Sequence, residues 1–246
     1  VKQKEFEEFI GGKDFEYTIL DYQRQVQEEY EDKTLNIGEE VEISENVFKE
    51  KIIKLPFDKF PVVIAGGSFN SNDRETVFNE SAKSALEELI QNLDDEKAYF
   101  VIGPKMQGYE KAIVDLAKKM NKKFEINAII PKVVSKEVKE SLLNNDINGV
   151  CVSTELEEKG IYKSFNYEIF ERRDSIVLAF DGNTPAANLI QEAKNGKGKS
   201  KIYVNKDVNL LRDKAKALDG YVIEFDEKES IADKIFKDYP ELKTLK

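Results

Sequence analysis

Pro61-Val-Val-Ile-Ala-Gly-Gly67 is the stretch from which the fold of this chain is read. A short run of β-branched and small apolar residues stops at two glycines, as a strand buried on both faces of a parallel sheet does. Downstream, Val77, Phe78, Ala82, Ala85, Leu86, Leu89, Ile90 and Leu93 recur at three- and four-residue steps, and Asp73 is placed to cap the helix they predict. The unit is strand, loop, helix, and it repeats. Ala98 to Gly103 predicts a second strand, and Ile113, Leu116, Ala117 and Met120 mark one face of the next helix. Phe124 to Ile130 predicts a third strand, closed by Pro131. Further strands are expected at Ile147–Val152, Ser175–Phe180, Lys201–Val204 and Tyr221–Phe225. Strands alternating with helices predict an α/β domain over residues 56–246, with a doubly wound, mostly parallel sheet.

Residues 1–55 read differently. Lys2 to Asp32 is rich in Glu and Gln with scattered aromatics, and Leu35 to Ile53 suggests short strands around Gly38. A boundary near Leu55-Pro56 is expected, with residues 1–55 an extension or small subdomain. Because the sequence opens on Val1, the expectation is a piece of a longer protein that shares its function with a missing part.

Composition narrows the classes of function. Of 246 residues 40% are hydrophobic and 35% charged, which suits a globular protein. No apolar run nears the roughly 18–20 residues of a membrane helix, and the charged N-terminus lacks the apolar core of a secretory signal. A cytoplasmic location is expected. The net charge of −10, from 38 basic and 48 acidic residues interspersed along the chain, argues against a nucleic-acid partner, which needs clustered Lys and Arg. Histidine is absent and Cys151 is the one cysteine, so a zinc site is not expected and any catalysis would fall to carboxylates, Lys, Tyr or backbone dipoles. Cys151 lies in an apolar run and reads as a buried structural thiol.

In an open parallel sheet ligands sit beyond the carboxyl ends of the strands, where the winding reverses. Three loops follow strands there. The first is Gly66-Gly67-Ser68-Phe69, with Asn72-Asp73-Arg74 at a helix start. Its glycines admit close backbone approach and Ser68 can donate to a phosphate, although Gly-Gly after a strand also serves as a plain turn. The second is Gly103-Pro-Lys105-Met-Gln-Gly108-Tyr109-Glu110, where Lys105 offers a cation or is only a solvated charge, and Gly108 serves the ligand or only the helix entry. The third is Phe180-Asp181-Gly182-Asn183-Thr184-Pro185-Ala186-Ala187-Asn188. Thr184 suits an N-cap and Pro185 the first helical position. Ala186 and Ala187 leave the helix start open to an anion, and Asp181 and Asn183 are candidates for ribose hydroxyls. Gly196-Lys-Gly-Lys-Ser200 imitates the end of a P-loop, but Ala193 stands at the first glycine and a strand follows, so it reads as a turn.

The stretch Asn166-Tyr-Glu-Ile-Phe-Glu171-Arg172-Arg173-Asp174-Ser175-Ile-Val-Leu-Ala-Phe180-Asp181-Gly182-Asn183-Thr184 resembles the SLOG superfamily, Rossmann-like domains akin to DNA-processing protein A and the LOG phosphoribohydrolases. The resemblance runs from Val62 to about Val204 and takes in Gly66-Gly67-Ser68, Gly103 to Glu110 and Lys201-Ile-Tyr-Val204. LOG enzymes carry a P-G-G-x-G-T-x-x-E motif with a catalytic glutamate. Here Asn188 holds that position, and an amide cannot serve as acid or base. The resemblance therefore implies a sensor without catalysis, binding a nucleotide-like ligand of the ADP-ribose or cyclic ADP-ribose type. It also implies a homo-oligomer and an effector of the kind found in bacterial anti-phage systems such as Thoeris. On this expectation Gly67, Ser68 and the Thr184 helix start hold phosphates, Lys105 and Arg172 or Arg173 supply charge, and Asp181 or Asn183 reads ribose. Salt bridging of one arginine to Glu168 or Glu171 is the competing reading. The rivals are a nucleotide hydrolase or transferase using Glu110 or Asp181, and an interaction scaffold whose nucleotide site has decayed.

Overall fold

Alternation of apolar side chains on both faces of seven strands is the basis of the architecture. The computed structural model describes residues 41–51, 54–65, 80–103, 106, 108–130, 133–145, 147–152, 167–180, 184–205, 222–226 and 229–245. The chain divides into two compact units, Val1–Glu40 and Val41–Lys246, and the described residues belong to the second. In chain order the strands are β1 (Val41–Ile43), β2 (Phe60–Ala65), β3 (Ala98–Ile102), β4 (Glu125–Ile130), β5 (Val133–Ser135), β6 (Gly149–Val152), β7 (Ser175–Ala179), β8 (Ser200–Asn205) and β9 (Val222–Phe225). The helices are α1 (Ser44–Val47), α2 (Glu80–Asn92), α3 (Gly108–Lys119), α4 (Lys136–Asn144), α5 (Thr184–Asn195) and α6 (Ile231–Asp238).

One sheet runs β6-β4-β3-β2-β7-β8-β9, with every neighbouring pair parallel. β1 and β5 form a separate antiparallel pair. Period-two alternation sends Val62, Ile64, Phe100, Ile102, Ile126, Ala128, Ile176 and Leu178 to one face, beneath α2, α3 and α6. Val63, Ala65, Val101, Ile129, Val177, Ala179, Ile202 and Val204 line the other, against Ile190 and Ala193 of α5 and against Ile169 and Phe170 of a π-helical turn, Tyr167–Glu171. Helices on both faces make the sheet doubly wound, a Rossmann-like α/β fold, as the strand-helix alternation predicts.

The elements flanking the sheet are tied down locally. The edge strand β6 is covered where Val150 N–H donates to the Lys51 carbonyl at 2.9 Å, and Phe48 is buried in the core. The expected boundary near Leu55-Pro56 thus falls inside the compact unit that begins at Val41. α6 has an apolar stripe, Ile231, Ala232, Ile235 and Phe236, and the Ser230 hydroxyl caps it by accepting from Asp233 N–H at 3.1 Å. Its C-terminal end is pinned to β8: Tyr203 donates to the Asp238 carboxylate at 2.7 Å and Lys201 pairs with the same carboxylate at 2.8 Å. Gly196 and Gly198 make the turn expected between α5 and β8. Their α-carbons lie so close to the Phe170 and Arg173 carbonyls that a side chain would collide, and Gly198 N–H donates to Phe170 O at 2.7 Å.

Candidate functional site

The winding reverses between β2 and β7. From β2 the chain steps outward through β3, β4 and β6, then returns to the far side of β2 and proceeds through β7, β8 and β9. The reversal lies at the centre of the sheet, where Ala65 of β2 pairs with Ala179 of β7 and β3 flanks β2 on its other side. The chain therefore leaves three adjacent strands into the three glycine-bearing loops. Sequence distance conceals this: Val62 and Ile176 are register partners although more than a hundred residues separate them. The carboxyl edge of β3, β2 and β7 is the candidate site.

Gly66, Gly67, Ser68, Phe69, Arg74, Lys105, Asp181, Gly182 and Asn183 lie outside the described residues. Thr184 and Asn188 belong to α5, which begins at Thr184 itself, so the helix starts one residue earlier than a Thr184 cap implies. Gly103, Gly108 and Glu110 are described, and they make a closed arrangement. Glu110, in the first turn of α3, is only 3% exposed. Its Oε1 accepts from Gly103 N–H at 2.8 Å and its Oε2 from Met106 N–H at 3.1 Å. The carboxylate thus folds back from the first turn of the helix and satisfies two amides of the loop that leads into it. Gly103 is required by close approach, since a Cβ there would come within 2.6 Å of Glu110 Oε1. The loop turns sharply at Met106 and Gly108, whose φ angles of 50° and 56° fall in the left-handed region.

Beneath this loop an aromatic group links the second and third loops. Tyr109 stacks on Phe180 with ring centroids 4.9 Å apart, and Phe180 meets Phe225 edge-on at 5.8 Å. Tyr109 opens α3, Phe180 follows β7 and Phe225 ends β9. The sequence reading missed this floor. Its only trace is that Tyr109 and Phe180 each adjoin a residue singled out for other reasons.

Arg173 is the exception among the predicted residues. It precedes β7, at the amino-terminal edge of the sheet, so it does not join the group at the carboxyl edge. Its Nη1 donates to the Pro56 carbonyl and to the Tyr99 hydroxyl, the latter at 3.0 Å, and its guanidinium lies 4.1 Å from the centre of the Phe57 ring. Arg172 stands over the same ring at 5.5 Å. The guanidinium thus fastens residues 56–57 to the sheet. Glu171 pairs with Lys197 at 4.0 Å. A broad, open depression of about 390 Å³ lies at this same amino-terminal edge, lined by Phe57, Lys59, Lys97, Arg173, Asp174 and Glu241 among others. It is on the opposite side of the sheet from the winding reversal.

Tyr99 and Cys151 lie on the sheet face shared by Ile129 and Val177. Burial pushes the Tyr99 hydroxyl well above the ordinary phenol range, against the lowering effect of Arg173. Burial also pushes the Cys151 thiol up to about 11, with Arg173 opposing and Glu125 adding to the rise. A thiol so placed is a poor nucleophile at neutral pH. Among the described residues no group of three or more His, Cys, Asp or Glu is placed to hold a metal ion, and no helix is long and apolar enough to cross a membrane.

The fold and the position of the edge define a Rossmann-like α/β protein. No protein-family model and no curated protein matches the chain. Among solved structures it is similar to the Moco carrier protein from Chlamydomonas reinhardtii, with a TM-score of 0.50 and 12% identity over 75% of this chain and 99% of that one. A second structure, of the molybdenum cofactor carrier protein from Chlamydomonas reinhardtii, aligns with a TM-score of 0.47 and 13% identity over 74% of this chain and 97% of that one. At this identity the first likeness is one of fold.

Proposed function

We propose that this chain binds a nucleotide-derived ligand of the ADP-ribose or cyclic ADP-ribose type at the carboxyl edge of β3, β2 and β7, without transforming it. The observation that carries the reading is the winding reversal between β2 and β7, which gathers the ends of three strands whose following loops bear Gly66-Gly67-Ser68, Gly103 to Gly108 and Asp181 to Thr184. In this reading Gly67, Ser68 and the start of α5 hold phosphate, Lys105 adds charge, and Asp181 and Asn183 read ribose. Arg173 has no part in it.

Two observations favour binding over hydrolysis. Asn188 replaces the glutamate of the LOG motif, and both oxygens of Glu110 are engaged by loop amides. The structural neighbour is named a carrier of a cofactor, which suits a protein that holds a small molecule without altering it. As a SLOG-type sensor the chain would report occupancy to a second copy of itself or to an effector joined to or associated with it.

Thermal unfolding with AMP, NAD, ADP-ribose, cyclic ADP-ribose and molybdenum cofactor tests the reading. A ligand at about 100 times its Kd adds roughly 2.7 kcal/mol of stability, several degrees for a chain of this size. The expected outcome is a shift with one of the ADP-ribose-type compounds, recovered unchanged. Its consumption would make the protein an enzyme. A shift with molybdenum cofactor alone would make it a carrier, and no shift with any compound would leave the scaffold.

A further inference from the structure

We propose that the Asn127 amide holds one internal water molecule between β4 and β6, on the sheet face shared by Tyr99, Val101 and Ile129. Strand alternation puts Asn127 on that face, and its residue is 0% exposed. Its Nδ2 donates to Glu125 Oε1 at 3.1 Å. That bond fixes which way the amide lies, because turning it over would set Oδ1 against a carboxylate oxygen with no proton between them. Glu125 is itself held by Lys59, at 4.0 Å. Oδ1 is left on the other side of the amide, buried, and among the described residues it has no hydrogen-bond partner.

A buried carbonyl oxygen without a donor is rare in folded proteins, because the hydration it lost is not replaced. Room for a donor lies toward β6. Asn127 stands in register with Gly149 there, which presents no side chain, and with Val101 on β3. Neighbouring strands lie about 4.8 Å apart, so one missing side chain leaves a space on the scale of a single water and of nothing larger. A purely apolar space of that kind stays dry, whereas one on which several polar groups converge takes up water. Glu125 precedes Asn127 on the same face of β4, and Cys151 follows Gly149 on the same face of β6. In this arrangement the water donates to Asn127 Oδ1 and draws its other bonds from these flanking groups. It ties β6, at the edge of the sheet, to β4 through side chains as well as through the backbone ladder.

A high-resolution crystal structure of the full chain, with N127L solved and melted alongside, tests the assignment. The wild type should show an ordered water about 2.7–3.2 Å from Oδ1. N127L, which exchanges the amide for an alkyl group of similar size, should lose that water and melt no higher than the wild type. A protein donor on Oδ1, or a dry space beside it, would overturn the proposal. A melting temperature several degrees higher in N127L would do the same, since it would mean that an unpaired oxygen had been removed. Should N127L fail to fold, NMR of the wild type takes its place: cross-relaxation between water and the Asn127 side-chain amide is expected, and its absence would count against the water.

Discussion

Arg173 and Glu110 are both charged residues beside glycine-bearing segments, yet the fold uses them at opposite ends of the sheet. Arg173 is taken up by the Pro56 carbonyl, the Tyr99 hydroxyl and the Phe57 ring. Replacing it in R173M removes charge-assisted hydrogen bonds and leaves the hydroxyl of the buried Tyr99 short of its donor. The expected cost is about 2–3 kcal/mol, read as a lowered midpoint in denaturant, with ligand affinity unchanged. A loss of affinity without loss of stability would return Arg173 to the site. This residue also marks where the sequence stops being informative. An arginine before a strand can face either edge, and only the position of Phe57 and Tyr99, remote in sequence, decides which. Glu110 could be read as a ligand contact or an acid, because nothing in Gly103 to Glu110 reveals that the chain bends back through Met106 to place both amides on its carboxylate.

At the scale of elements, strands were the most legible feature. Each buried parallel strand is a compact run of β-branched residues with turn residues nearby, as in Pro61 to Gly67 and Ser175 to Phe180, so period and composition agree. β5 was missed because Val133–Ser135 is only three residues long and follows Pro131, which reads as an ending. α6 was missed because eight residues give too few turns for the periodicity to stand out; its amphipathic stripe became evident only against the sheet. The fastening of α6 to β8 can be tested by titration. Burial alone would raise the Asp238 carboxyl, but hydrogen bonds from Lys201 and Tyr203 and the nearby charges of Lys201 and Lys237 outweigh it and hold the group below the usual range. A lowered folded value means that this stabilisation is complete above about pH 4 and is lost as the pH falls through that lowered value. D238N should therefore melt below the wild type at neutral pH, by about 1 kcal/mol or less because the pair is partly exposed. The gap should close on acidification from about pH 4 to about pH 2, followed by melting curves across that range. A gap that persists unchanged would place the effect in packing.

For the whole molecule, the doubly wound sheet was legible because its signal is repetitive, whereas the site was legible only as three separate loops. Their adjacency depends on strand order, and no local pattern states that β7 returns to β2. The central strands are buried on both faces and paired on both sides, so they belong to the unit that opens only on global unfolding. Native-state hydrogen exchange should be slowest at Val62–Ile64, Phe100–Val101 and Val177–Leu178, and faster in β1, β5 and α4. Equal protection across all of these would argue against a hierarchy of openings.

The pairing of β2 with β7 also bears on when the edge comes into being. Synthesis proceeds from the N-terminus, so a ribosome that has delivered β2, β3, β4 and β6 has made the first two glycine-bearing loops but not the strand that sets the third beside them. The edge exists only after residues beyond Ala179 have emerged and closed a loop of more than a hundred residues, a closure whose entropic cost precedes the contacts that repay it. A nascent chain could therefore not hold the proposed ligand at this edge before β7 has paired with β2, and capture of that ligand would report the pairing.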